Sequence, residues 1–151
     1  MGVNASGTLY ATNNSGESIV EFLPGANGDV GPVRTISGAN SKLYEAWGIV
    51  FDTSDRAYLS NGSSINNAIT EYSSKASGNV APTNSISGSN TEISAPNGEG
   101  FDDSGTLYVC NNGITNSVTA YAAGATGNSS PLRIIRGVST GLSGCSGLAI
   151  H

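Results

Sequence analysis

Trp47, Asn97 and Ser146 hold equivalent places in a sequence that repeats itself, and their differing chemistries are the first hint of a site. Two positions on, Ile49 and Leu148 are apolar, whereas the middle copy carries Glu99. With a strand period of two, Asn97 and Glu99 point the same way. A carboxylate where its twins are apolar needs water, a partner or a cation. Paired Asn and Glu oxygens suit Ca²⁺ or another hard cation. Asn97 and Glu99 are therefore the candidate metal ligands, with calcium the candidate cofactor; a Glu99 solvated in a wet cavity is the alternative. Trp47, with Tyr44 near it, offers an aromatic platform for an apolar or sugar-like ligand, against simple burial.

Other reactive residue types carry less. Asp52, Asp102 and Asp103 look like a carboxylate cluster, but they sit in turn sequences where Asx bonding to the local backbone accounts for them. His151 is the one histidine and aligns with Asp52 and Asp102, so a turn role or disorder is expected rather than catalysis. No serine or cysteine has a partnering histidine near it, which argues against triad chemistry. Cys110 and Cys145 lack metal-type spacing, and two small buried thiols are expected in preference to a disulfide. A net charge of −5 gives no electrostatic footprint for nucleic acid. No apolar run approaches a membrane span, and the N-terminal residues show no charged-then-apolar signal pattern, which leaves the compartment open.

The elements that must position these residues come from an internal repeat. The innermost strand of each unit ends at Val3, Phe51, Phe101 and Ile150, at spacings of 48, 50 and 49. A tight turn follows, as in Asp102-Asp103-Ser104-Gly105, and then a second strand with Tyr10, Tyr58 and Tyr108 in one column. Asn13, Asn61 and Asn111 close that strand. Ile19, Ile69 and Val118 open a third, and Ile36, Ile86 and Ile135 centre a fourth, after Pro32, Pro82 and Pro131. Proline suits an outermost edge. Glycine at 21 positions and only 11 % charged residues fit short strands and turns rather than long helices.

Each unit reads as four short strands, the signature of a propeller blade. The expected fold is an all-β propeller with three four-stranded blades, repeats 3–50, 51–100 and 101–150, in a single half-propeller domain. Three blades cannot close a ring, and the sequence starts after the innermost strand of its first unit while a spare one, Gly147 to Ile150, follows the last. The expectation is a homodimer in which Gly147–Ile150 completes the first blade of the partner, giving six blades; a piece of a longer propeller is the other reading. Repeat length varies only between the second and third strands, over 6, 8 and 7 residues from Asn13, Asn61 and Asn111 to the next column. That loop face, with Asn13, Asn61 and Asn111 at its base and Trp47, Asn97 and Ser146 at the channel mouth, is the expected binding surface for a small-molecule or peptide ligand.

The run Ala123 to Gly137 followed by Gly147-Leu148-Ala149-Ile150 resembles NHL-type six-bladed propeller repeats, which implies a binding platform. Pro96-Asn97-Gly98 and the turn after it resemble the same segment of gluconolactonase- and paraoxonase-type propellers. That resemblance implies Asn97 as ligand of a catalytic divalent cation, although Trp47 and Ser146 replace the family's ligands in other blades. Three readings follow: a ligand-binding propeller, a metal-dependent hydrolase of lactones, esters or phosphotriesters at the same mouth, and a truncated or engineered repeat with no selected ligand.

Overall fold

Short alternating segments punctuated by Asx turns leave the backbone little choice but antiparallel hairpins, and the computed structural model is built from them. It describes residues 1–62 and 66–150. Ser63, Ser64 and Ile65, within the length-varying loop of the middle repeat, and His151 lie outside the described residues, as do the readings placed on them. The first sheet runs β1 (Gly2–Val3), β2 (Leu9–Asn13), β3 (Ser18–Phe22) and β4 (Arg34–Ser37). The second has β5 (Ala46–Phe51), β6 (Ala57–Gly62), β7 (Asn67–Tyr72) and β8 (Asn84–Ser87). The third has β9 (Pro96–Phe101), β10 (Leu107–Asn111), β11 (Ser117–Tyr121) and β12 (Arg133–Arg136). Each is four-stranded, antiparallel and ordered as in the sequence. No α-helix occurs among the described residues; a single 3₁₀ turn follows each fourth strand.

The turns form as their residues dictate. Oδ1 of Asn4, Asp52 and Asp102 each accepts two backbone N–H bonds from residues two and four further on, at 2.9–3.2 Å. The hydroxyl of Ser104 and the amides around it hold the Asp102 carboxyl down to about 2. The aspartates are thus turn formers, as their setting implied.

Sheets stack face to face through two apolar layers. Between the first and second, Tyr10, Ile19 and Ile36 meet Ala57, Leu59 and Tyr72. Between the second and third, Tyr58, Ile69 and Ile86 meet Leu107, Val109 and Tyr121. The same columns meet at both joints, so one packing solution is used twice. Backbone bonds stitch the joints as well. Gly78 donates to the Thr35 carbonyl (2.7 Å) and accepts from Ser37 (3.1 Å); Gly127 does the same with Ser85 (2.7 Å) and Ser87 (2.9 Å). Asn79 and Asn128 then accept from the amides of Asn40 (2.8 Å) and Asn90 (2.7 Å), capping the 3₁₀ turn of the preceding sheet. The hydroxyls of Tyr72 and Tyr121 donate to the carbonyls of Ser41 and Thr91. Their third column mate is Phe22, which has no hydroxyl to give.

Two details depart from the sequence reading. The innermost strand β9 starts at Pro96 and carries a bulge at Asn97 that interrupts the expected two-residue alternation: Pro96 pairs with Asn111 and Gly98 with Cys110. The first sheet keeps a stub of its innermost strand, Gly2 opposite Tyr10 and Val3 opposite Leu9.

Candidate functional site

The innermost strands leave a concavity of about 480 Å³. Its walls present polar and apolar surface in about equal measure: Val3, Ile49, Phe101, Leu148 and Ile150 supply the apolar part, and the turns at Asn4 and Asp52 also border it. Glu99 is set into this lining and is only 5 % exposed. Trp47, Asn97 and Ser146 are not among its walls. The concavity is therefore not centred on the mouth picked out from the sequence.

Glu99 reaches toward the second sheet. Its Oε2 accepts the hydroxyl of Ser60, and its carboxyl lies so close over Gly48 that a Cβ built there would overlap both oxygens. Oε1 has no hydrogen-bond partner. Burial pushes the carboxyl up from 4.5 to about 7, against the bonds from Ser60 and the field of the N-terminal ammonium. The glycine at 48 is the local reason that a carboxyl fits where Ile49 and Leu148 stand in the other copies.

Asn97 does not join Glu99. The bulge breaks the two-residue alternation that would have set their side chains together. Among the described residues, no group of three or more His, Cys, Asp or Glu is placed to hold a metal ion. A single carboxylate, one oxygen already taken by Ser60, is a poor donor set for Ca²⁺, which takes six to eight oxygens. The residues do not fit the divalent cation that the gluconolactonase-like segment implied.

The asparagine column has an explanation that the sequence did not suggest. Asn61 and Asn111 are 1 % and 0 % exposed. Their Oδ1 atoms accept from the amides of Tyr44 (3.1 Å) and Ser94 (3.0 Å), fastening the segment that leads into the innermost strand. Their Nδ2 atoms donate to Thr70 and Thr119 on the third strand. Both side chains are thus spent inside the sheet and unavailable to a ligand. Asn13 is the exposed copy; it donates to Ser18 (3.1 Å), and no backbone amide is fastened to its Oδ1. Trp47 is half exposed, its indole lying over Gly62, and Ser146 is exposed.

The cysteines are not free. Cys110 and Cys145 form a disulfide, correcting the expectation of two buried thiols. Sequence separation concealed the pair, because 35 residues of intervening sheet bring the sulfurs together. The column to which Cys110 belongs clarifies its task. Thr12 Oγ1 donates to the Trp47 carbonyl (3.0 Å), Ser60 to Glu99, and Cys110 bonds to Cys145. In each case the second strand ties down the innermost segment that comes next. Through the disulfide, Gly147–Ile150 lies against β9: a Cβ on Gly98 would fall 2.8 Å from the Gly147 Cα, and one on Gly100 would fall 3.0 Å from Ile150 Cδ1. This last segment belongs to no sheet.

The chain matches no protein-family model, and no curated protein is significantly similar to it.

Proposed function

We propose that the three sheets are successive blades of a β-propeller, that two copies make a ring of six, and that the axial cavity binds a small apolar ligand bearing an ammonium group. The observation that carries the binding reading is the buried Glu99 carboxyl, with one oxygen unpartnered, set just behind the lining of this concavity against Gly48 and Ser60. A buried acceptor of this kind is costly unless something donates to it. The walls suit an alkyl body, and the carboxylate suits a cationic head. Hydrolysis needs a second group to activate water. Asp52, the other carboxylate bordering the cavity, is already held by its turn and by Arg56 at 2.7 Å. Binding is therefore the better-supported activity.

The test is an amide NMR titration at pH 8 with butylammonium and, in parallel, 1-butanol. Butylammonium should shift Glu99, Gly100 and Leu148, and Glu99→Gln should abolish the effect while leaving the weak response to butanol. Equal responses to the two probes, or none, would refute the reading.

A further inference from the structure

The two interior joints show which columns meet when one sheet follows another, and both halves of that joint recur unpaired. On the third sheet, the socket columns are Tyr108, Val118 and Ile135. Ile135 is 55 % exposed, whereas its twins Ile36 and Ile86 are 7 % and 3 % exposed. Beside it Tyr108, Val118 and Ala120 line an apolar hollow bordered by Arg133. On the first sheet, the ridge columns are Leu9, Ala11 and Phe22, all only half-buried; the twins of Leu9, Ala57 and Leu107, are 6 % and 2 % exposed, and those of the other two, Leu59, Val109, Tyr72 and Tyr121, are sealed at 0 %.

The polar half of the joint is also present in two separated parts. Gly28 has φ 76°, matching Gly78 at 72° and Gly127 at 61°, so the loop that stitches onto a preceding fourth strand is already formed. Next to it stands Asp29, exposed and making no side-chain bond, in the column of the capping residues Asn79 and Asn128. Facing the other way, at the 3₁₀ turn Val138–Thr140, nothing lies within 4 Å of a Cβ on Gly137, where its twins Gly38 and Gly88 abut Asn79 and Asn128.

We infer that the occupant of each face is a second copy of this chain, docked head to tail. The first sheet of one copy packs on the third sheet of the other, Gly28 pairs with the edge of β12, and Asp29 caps the amide of Ser139. A twofold pair makes this joint twice and leaves neither face open. The inference deepens the six-blade reading and rests on it. It also revises the expected strand exchange. Gly2 and Val3 already hold the register that Ala149 and Ile150 would need on β2. Only Cys145–Leu148 finds a free length of strand there, beside Ala11–Asn13, with Asn13 Oδ1 placed to accept from Ser143 as Asn61 and Asn111 accept from Tyr44 and Ser94.

Sedimentation equilibrium of the 151-residue chain tests this directly. The expected species is twice the 15.2 kDa chain mass. Ile135→Asp should give monomer. Asp29→Ala should weaken the pair about thirtyfold, which corresponds to two lost caps of about 1 kcal/mol each, and Asp29→Asn should restore it. Because Asp29 is exposed and unbonded in the single chain, its variants leave the fold intact, which circular dichroism would verify. A monomeric wild-type chain, or a series of open polymers, would overturn the closed pair. A dimer indifferent to both Ile135→Asp and Asp29→Ala would overturn this interface. Ligand titration is a separate readout: a dimer of the expected mass that ignores butylammonium would remove the proposed ligand and leave the interface standing.

Discussion

Replacing Glu99 with glutamine keeps the shape of the side chain and an acceptor for Ser60 but removes its titration. In the folded chain, burial raises the carboxyl from 4.5 to about 7. The folded state thus holds this proton more tightly than the unfolded state does. Below about pH 4.5 both states are protonated and Glu99 exerts no penalty. Stability is lost as pH rises from there through 7, where the folded protein must ionise a buried group. A shift of this size corresponds to roughly 3 kcal/mol at full ionisation. Glu99→Gln should therefore match the wild type near pH 4, apart from a constant offset, and gain about 3 kcal/mol on it by pH 8.5. In melting temperature that is roughly 6–12 °C for a chain of this size. Urea unfolding of both proteins at half-unit intervals from pH 4 to 8.5 is the assay. All other titrating groups are common to the two proteins and cancel in the difference. Parallel curves would show that Glu99 is hydrated or paired in solution, and the cavity argument would fall with it.

Three further outcomes follow from the joints. Gly48→Ala forces a methyl into the Glu99 carboxyl and should cost about 1–3 kcal/mol; the same change in a Glu99→Ala background should be nearly neutral, as a double-mutant cycle would report. Asn111→Ala leaves the Ser94 amide and Thr119 hydroxyl without their partner, for a loss of about 3 kcal/mol in chemical denaturation. Its exposed twin Asn13→Ala should cost the single chain little. Reducing Cys110–Cys145, which closes a 35-residue separation, should lower stability by up to about 4 kcal/mol on loop-entropy grounds. In the monomeric Ile135→Asp variant, where no sheet ladder holds the backbone of 143–150, hydrogen exchange should accelerate there first; unchanged protection would show that the segment is fixed by something other than the disulfide.

The architecture was legible because it is written locally and repeatedly. Asp-Asp-Ser-Gly turns, alternating apolar columns and edge prolines each specify a hairpin without reference to distant residues, and three copies agree. The site was less legible because its determinants are relations between copies. A two-residue period placed Asn97 beside Glu99, but the bulge opposite Cys110 and Asn111 interrupts that period, and nothing in Pro96-Asn97-Gly98 alone announces it. The asparagine column looked like a ligand-binding rim because polar residues at strand ends usually face water. Only the packed structure reveals amides at Tyr44 and Ser94 waiting for them. Glu99 stands out in the sequence as the odd member of its column, yet its direction depended on the missing side chain of Gly48, in a strand about fifty positions earlier. The disulfide was missed for the same reason, since sequence separation says nothing of proximity across neighbouring segments.

The tie formed by Thr12, Ser60 and Cys110 has a wider consequence for how such an array can diversify. A hydroxyl grips a carbonyl, a hydroxyl grips a carboxyl, and a sulfur grips a sulfur, each fastening a second strand to the innermost segment that follows, though at a different point along it. Each fastening can accordingly be rewritten on its own, from reversible to covalent, without redrawing the neighbours. A tandem protein built this way carries its mechanical tuning in single interchangeable positions.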